Sequence, residues 1–188
     1  VSAYTPDGQI YFDKVMIGAS SQIDPDEYDS GYLWPDASLG FVAANVDVES
    51  SRLVSDFSFN PVTSTASFKC HLVDTLYADD ARHLKDYVFA MTLNKSESDG
   101  VVPLDFHHCF SAVSFKINQF PYETNRIVKS VSIMNVQSAA TCRFGPDMEF
   151  IWDDYTAEFV DYKQAINQFV PDGGFITEGE NLFMMIPQ

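Results

Sequence analysis

The stretch Val101–Ile117 (VVPLDFHHCFSAVSFKI) constrains the fold most strongly, because apolar residues alternate along it. An extended chain points successive side chains to opposite faces, so alternation of this kind predicts a β-strand. The residues that share a face are Leu104, Phe106, His108 and Phe110 in the first half, and Val113, Phe115 and Ile117 in the second. The phase slips by one residue near Ser111 and Ala112, and a β-bulge there would keep both halves on the same core. The stretch therefore predicts one long, bulged central strand.

Other segments alternate in the same way and are separated by turn signals. The predicted elements are a hairpin around Pro6-Asp7-Gly8, a strand at Leu39–Ala44 covered on both faces, a hairpin around Asn60-Pro61, a strand over Tyr87–Leu93, an edge or rim strand over Ile127–Ile133, a hairpin around Asp153-Asp154, and a buried strand at Leu182–Ile186. The polar tract Asn94–Gly100 predicts that the strand before it is an antiparallel neighbour of the central strand. Ser20–Asp36 predicts a surface loop, and Tyr77–Lys85 a helical turn or loop. Together these features predict an all-β sandwich with at most short helical turns.

Length and composition limit the classes of protein. The 188 residues suit a single domain, and 16 Phe, 9 Tyr and 2 Trp favour strands over helices. A net charge of −16 argues against binding to nucleic acid and to anionic lipid. No apolar run reaches the ~20 residues of a membrane span.

The central stretch also resembles the core motif of the fimbrillin-like family, surface and pilus proteins of Bacteroides-type Gram-negative anaerobes. The matching residues are Leu104, Phe106, His108, Val113 and Phe115. Cys109 stands where the family usually has Ala, and Phe110 where it usually has Leu. Three further segments are similar to the family in the expected order: Gly31–Ala44, Asp86–Ala90 and the closing FMMIPQ.

This resemblance spans nearly the whole chain and implies more than the alternation does. The implied fold is a Greek-key sandwich of transthyretin-like type, with residues 1–188 forming the family's N-terminal domain and a second domain following Gln188. It also implies a signal and a lipidated Cys upstream, and a location at the cell surface or outer membrane, in a fimbrium. The implied function is a structural or adhesive subunit, either a pilus component or a lipid-anchored adhesin, whose partners are other fimbrial subunits and a host surface protein or glycan.

In this family, polymerising subunits are thought to lose an N-terminal strand and accept a replacement from a partner. A sheet that loses its edge strand exposes unpaired backbone groups beside an apolar groove. We therefore expect Val1–Tyr4, which is strand-like, to lie at or next to a sheet edge and to border a groove of aromatic or aliphatic side chains. The competing interpretation is that the sequence merely begins there.

Three adjacent residues, His107, His108 and Cys109, offer metal-binding groups. Adjacent residues on a strand point to opposite faces, so these three cannot converge on one ion, and Cys70-His71 fails for the same reason. His108 is instead predicted to be a core histidine with satisfied hydrogen bonds. Cys70 and Cys109 lie in alternating, strand-like segments, which predicts that their thiols serve as small buried apolar groups. The number of cysteines, three, is odd, so at least one is unpaired within the chain, and this argues against a disulfide scaffold.

The acidic residues do not form a recognisable site. The loop with Asp24, Asp26, Glu27 and Asp29 lacks the Gly and Glu of an EF-hand, and Asp79-Asp80 and Asp153-Asp154 are adjacent pairs on a surface. Nucleophile elbows and phosphate- or dinucleotide-binding loops are also missing from the sequence. The sequence therefore predicts no catalytic, cofactor or metal site, and no enzyme.

A glycan-binding surface module is the alternative function, because sugar rings stack on exposed aromatic rings. Trp34, beside a proline in a polar loop, is the predicted platform. A second interpretation, favoured because Trp is commonly largely buried, is that Trp34 plugs the end of the sandwich.

Overall fold

The computed structural model describes residues 1–16, 31–45, 52–73, 81, 84–117, 127–169 and 173–188. These residues form antiparallel β-sheets, and their helical segments are short, with 3-10 turns at Glu97–Asp99 and Gly179–Asn181. The strands are β1 (Ser2–Tyr4), β2 (Ile10–Phe12), β3 (Leu39–Ala44), β4 (Val54–Asn60), β5 (Thr65–His71), β6 (Val88–Lys95), β7 (His107–His108), β8 (Ser111–Val113), β9 (Ile127–Gln137), β10 (Ala139–Phe144), β11 (Ile151–Asp153), β12 (Phe159–Phe169) and β13 (Phe183–Met185). Among the described residues, no helix is long and apolar enough to cross a membrane.

Two sheets make up the body of the sandwich. The first sheet has the order β2-β1-β3-β6-β7, and the second has the order β11-β10-β5-β4. The chain leaves the first sheet after β3, forms the β4–β5 hairpin of the second sheet, and returns as β6, which pairs with β3. Crossing between sheets in this way is typical of Greek-key sandwiches. The predicted all-β sandwich is confirmed.

The main core lies between the two sheets and is aromatic. Strand β5 buries every second residue, which places Phe68 against Phe89 of β6 and near Phe144 of β10. All three rings are almost completely buried. Burying one such side chain is worth about 1.5–3 kcal/mol, so this cluster holds the sheets together.

A second apolar cluster covers the outer face of the first sheet. Phe41 and Leu39 of β3 point into it, while their neighbour Val42 points into the main core. Val102 and Leu104 of the segment before β7 pack over the same face. Strand β3 is thus buried on both faces, as its apolar sequence predicts.

Two smaller two-stranded sheets, β9–β12 and β8–β13, complete the fold. Tyr162 of β12 and Phe183 of β13 are both buried and pack edge to face, with ring centroids 5.5 Å apart. The end of the chain is held by two hydrogen bonds, in which the Tyr155 hydroxyl donates to the carbonyl of Pro187 and the backbone N–H of Gln137 donates to the side chain of Gln188. The C-terminal strand is therefore an integral part of the core.

Most of the predicted strands are confirmed. The structure contains the β1–β2 hairpin, β3 with the predicted bounds, the β4–β5 hairpin, β6, the edge strand β9 and the buried strand β13. Strands β6 and β7 are antiparallel neighbours, also as predicted, through the pairs Val88 with His108 and Phe89 with His107. Each of these predictions rests on the pattern of apolar residues within the strand itself, which shows whether one or both of its faces are buried.

The predicted long central strand is wrong. The stretch Val101–Ile117 forms two short strands in different sheets: β7 pairs with β6 at the edge of the first sheet, and β8 pairs with β13. The change of sheet occurs at Cys109 and Phe110, both buried, just before the predicted bulge. What looks in the sequence like a slip of phase is a crossing between sheets.

The hairpin predicted around Asp153-Asp154 is also wrong. Strand β11, before this turn, pairs with β10, and strand β12, after it, pairs with β9. The loop predicted at Ser20–Asp36 and the turn predicted at Tyr77–Lys85 lie largely outside the described residues, as do the carboxylates of residues 24–29 and 79–80.

Candidate functional site

The N-terminal strand β1 is paired on both sides. Ala3 lies opposite Phe12 of β2 on one side and Phe41 of β3 on the other. Val1 and Val15 extend the pairing of β1 with β2 by two hydrogen bonds. The Val1 amino group donates to the Val15 carbonyl at 2.9 Å, and the Val15 N–H donates to the Val1 carbonyl at 2.9 Å. The strand lies next to the edge strand, as expected. Both of its backbone edges are already hydrogen-bonded, to β2 and to β3, so a strand from a partner cannot pair with it. The strand-exchange prediction is therefore wrong for this end of the molecule.

The groove expected beside β1 is present but small. Tyr4 packs against Phe59 of β4 with ring centroids 4.6 Å apart, and both residues line a half-open hollow of about 100 Å³ between the sheet ends. Leu39 and Leu93 line the hollow as well. Clefts that bind drug-sized molecules measure about 300–1,000 Å³. This hollow has room for about one side chain.

His108 lies on the surface and not in the core, so the prediction of a core histidine is wrong. It lies on the edge strand β7, and its Nδ1 is 2.7 Å from Oδ2 of Asp86. The carbonyl of Asp86 in turn accepts a hydrogen bond of 3.0 Å from the side chain of Asn45. The edge position explains the error, because a two-residue edge strand leaves the side chain in solvent. His107 is also exposed, whereas Cys109 is buried.

All three cysteines are free and buried, which confirms the burial predicted for Cys70 and Cys109. Cys70 on β5 and Cys142 on β10 share the core face of the second sheet, and Cys109 lies beside Trp152, whose Nε1 donates to the Cys109 carbonyl at 3.1 Å. Burial raises the pKa of each thiol above its ordinary value. A thiol reacts as its thiolate, so these groups pack as small apolar side chains and are poor nucleophiles.

The adjacent carboxylates of Asp153 and Asp154 both bind Arg143. The two guanidinium nitrogens donate one to each carboxylate, Nη2 lying 2.7 Å from Oδ2 of Asp154. The bond to Asp154 is the largest of the effects that raise the pKa of Arg143. This is an ion-pair network on the outer face of the second sheet. In the part of the chain that the structure describes, no three His, Cys, Asp or Glu side chains come together at a metal-binding distance.

Aromatic rings form the most distinctive surface of the described structure. They lie on the outer face of the first sheet, and we call them the aromatic platform: Tyr11, Phe12, Tyr32, Trp34 and Phe41. Phe12 and Phe41 are buried at its base. Tyr32 stacks on Phe12 with ring centroids 4.7 Å apart and planes 30° apart, and it remains 49% exposed.

Trp34 occupies one end of the platform and does not plug the end of the sandwich. Its ring meets Phe41 edge to face, with centroids 6.0 Å apart and planes 71° apart, and it is half-buried. The segment that carries it is fixed by the hydroxyl of Tyr11, which donates to the carbonyl of Leu33. Tyr32 was not singled out from the sequence. Its position two residues before Trp34 was a usable signal, since such residues share a face of an extended chain.

Comparisons with protein-family models, with curated proteins and with solved structures gave no match to this chain. The resemblance to the fimbrillin-like family therefore rests on the residues quoted above. Two kinds of surface are exposed on the described structure and are candidates for function, the sheet edges and the aromatic platform.

Proposed function

We propose that this chain is a structural or adhesive subunit at the cell surface, of the fimbrillin-like type: a pilus component or a lipid-anchored adhesin. The observation that carries the proposal is where the resembling segments lie. Leu39–Ala44 is the middle strand of the first sheet, Val88–Ala90 begins its neighbour β6, and Phe183–Met185 is the buried strand β13. The resemblance thus involves segments that build the framework of the sandwich.

The charge and the exposed sheet edges of the molecule support a role in binding or assembly. A net charge of −16 keeps such a domain soluble outside the cell and away from anionic partners. The resemblance to the fimbrillin-like family extends the proposal to a location at the outer membrane or in a fimbrium.

Assembly through β-strand contacts would use an edge strand, since β1 is already paired on both sides. Strand β11 ends the second sheet, and its Ile151 is 56% exposed. An added strand gains backbone hydrogen bonds at such an edge. A charge on an edge strand opposes this pairing, so Ile151→Lys should reduce co-purification with other fimbrial subunits, whereas Val62→Lys, in the exposed β4–β5 turn, should not.

The proposed function is tested by deletion of the gene in the source organism. Deletion should remove surface filaments or reduce adherence to host cells, and the wild-type gene supplied in trans should restore them. A deletion strain with unchanged filaments and unchanged adherence would count against both forms of the proposal.

A further inference from the structure

Two pairs of strands form one continuous ribbon. Strand β9 runs into β10 with only Ser138 between them, and these strands pair with β12 and β11 respectively. The N–H of Ser138 donates to the Glu158 carbonyl at 2.9 Å and so joins the two halves. Because each residue of a strand adds about 3.3 Å, Lys129 near one end and Arg143 near the other lie up to ~45 Å apart. We call this element the long ribbon, and its two ends differ in charge.

One end of the long ribbon is basic and apolar. Ile127 of β9 lies opposite Phe169 of β12, and the two residues are 58% and 54% exposed. Lys129 follows Ile127 on the same face of β9, since residues two apart in a strand share a face. Lys129 and Lys163 of β12 are both exposed, and neither belongs to an ion pair of the described residues. The acidic residue of β12, Asp161, accepts a hydrogen bond from a backbone N–H of β9.

A neighbouring segment adds to this basic end. The side-chain amide of Gln168 donates to the Ile176 carbonyl at 3.2 Å, which brings residues 174–177 beside the end of the long ribbon. Phe175 of this segment is 49% exposed, and the ammonium group of Lys116 lies 5.4 Å from its ring centroid. In a chain of 11 basic and 27 acidic residues, the charged residues of segments 111–117, 127–133 and 162–169 are all lysines: Lys116, Lys129 and Lys163.

The opposite end of the long ribbon is acidic. Residues 145–154 carry four carboxylates and no basic group. Ile151 of β11 is 56% exposed, and Glu149 and Asp153, two residues away on either side, share its face. The guanidinium of Arg143, opposite Ile151, is bound to two of the four carboxylates, so this end keeps a net negative charge.

We propose that the basic end of the long ribbon binds the acidic end of the long ribbon in a second copy of this chain. Each end presents an exposed apolar side chain next to a charge of opposite sign, Ile127 with Lys129 and Ile151 with Glu149. The Debye length at physiological salt is about 8 Å, so the two ends of one molecule do not neutralise each other. The net charge of −16 repels two copies in other orientations and thereby makes this contact selective.

The contact is head-to-tail, so every pair of molecules keeps one free end of each kind and further copies can add to form a chain. It requires no exchange of a strand, which the fully paired strand β1 does not allow. The inference rests on the proposed function, in that it names the partner and the two surfaces of a structural subunit. Exposed ion pairs are weak, so a single contact should have a dissociation constant on the order of 1 mM.

The experiment is sedimentation equilibrium of the purified protein at concentrations up to about 1 mM, where wild type should associate. One variant reverses the basic end (Lys129→Glu with Lys163→Glu), and another reverses the acidic end (Asp147→Lys with Glu149→Lys). Each variant alone has two ends of like charge and should associate at least about tenfold more weakly than wild type. Mixed in equal amounts, the two variants should associate within about threefold of wild type, because each contact again joins opposite charges.

Lys85→Glu with Lys95→Glu is the matched control, since it makes the same change in net charge outside the long ribbon. It should associate within about threefold of wild type, because distant surface charges are screened. Urea unfolding checks that every variant is folded. Wild type that stays monomeric, a mixture no stronger than its components, or a control as weak as the variant of the basic end would overturn the inference. The proposed function is tested on cells by gene deletion, so the two failures are distinguishable.

Discussion

Phe68 on β5 and Phe89 on β6 stack face to face across the sandwich, with ring centroids 4.6 Å apart and ring planes 15° apart. This contact joins the second sheet to the first. The ring of Phe144 on β10 adds a second contact between the sheets, with its centroid 5.3 Å from the ring centroid of Phe89. Because β3 pairs with β6 and carries the aromatic platform on its other face, this contact also supports the platform. The stability of the core and the geometry of the aromatic platform are therefore linked.

Phe89→Ala should destabilise the protein by about 3–5 kcal/mol, because the removed ring leaves a cavity in a close-packed core. Phe159→Ala, at a surface position, should change the free energy of unfolding by less than about 0.5 kcal/mol. Urea unfolding measures both values. Equal effects of the two substitutions would contradict the described core.

Gly8→Ala should destabilise the β1–β2 turn for two reasons. Gly8 has φ +89°, and a Cβ there would lie 2.5 Å from Cγ of Pro61. Gly100 has φ +74° with no atom within 4 Å of its Cβ position, so Gly100→Ala should show a conformational cost alone, about 1–3 kcal/mol. Gly8→Ala should lower the free energy of unfolding by more than Gly100→Ala does, because of the contact with Pro61. In a double-mutant cycle measured by urea unfolding, adding Pro61→Ala to Gly8→Ala should restore part of that extra loss. Additive effects of the two substitutions would rule out the contact.

Tyr162→Phe should destabilise the protein by about 1–3 kcal/mol, the cost of leaving a buried acceptor without its donor. The hydroxyl of Tyr162 lies 2.9 Å from the Ala81 carbonyl and 3.0 Å from the Met184 carbonyl, in the core. Tyr11→Phe is the control, since the hydroxyl of Tyr11 bonds to Leu33 at the exposed surface and its loss should cost less. A loss of stability in Tyr11→Phe as large as that in Tyr162→Phe would be the contrary result.

The buried thiols make stability fall at alkaline pH. The pKa of each thiol is raised by burial above the ordinary value of 9.0. Below the pKa that the thiol has in the unfolded chain, the protein keeps its full free energy of unfolding. Above that pKa, the unfolded chain loses a proton that the folded chain keeps, so the free energy of unfolding falls as the pH rises. Each thiol should therefore reduce the free energy of unfolding by about 1.4 kcal/mol per pH unit above pH ~9. Urea unfolding at pH 8 to 10 tests this, and Cys70→Ala should flatten the slope by about one third.

The sequence correctly predicts those strands whose buried faces follow from the pattern of their own residues. Leu39–Ala44 has both faces covered and is found with the predicted bounds, because its apolar residues leave no polar face to turn to solvent. The sandwich class follows from many such strands with turn signals between them.

The pairing of the strands is not predictable in the same way, because alternation shows which face of a strand is buried but not which sheet it joins. The stretch around Cys109 keeps an alternating pattern while the chain passes from one sheet to another. His108 was misplaced for the same reason, since an edge strand and a central strand alternate alike. The platform was half predicted: Trp34 stands out in its sequence context, whereas the stacking of Tyr32 on Phe12 joins residues 20 positions apart, which no local pattern connects.

The most direct test of the proposed cell-surface location uses the buried thiols as an internal control. Val62 is 85% exposed in the β4–β5 turn, whereas the three native cysteines are buried. Val62→Cys should therefore introduce one accessible thiol into the native protein. On intact cells of the source organism, a membrane-impermeant maleimide should label Val62→Cys and leave the wild-type protein unlabelled. Labelling of Val62→Cys only after the cells are lysed would contradict a location at the cell surface.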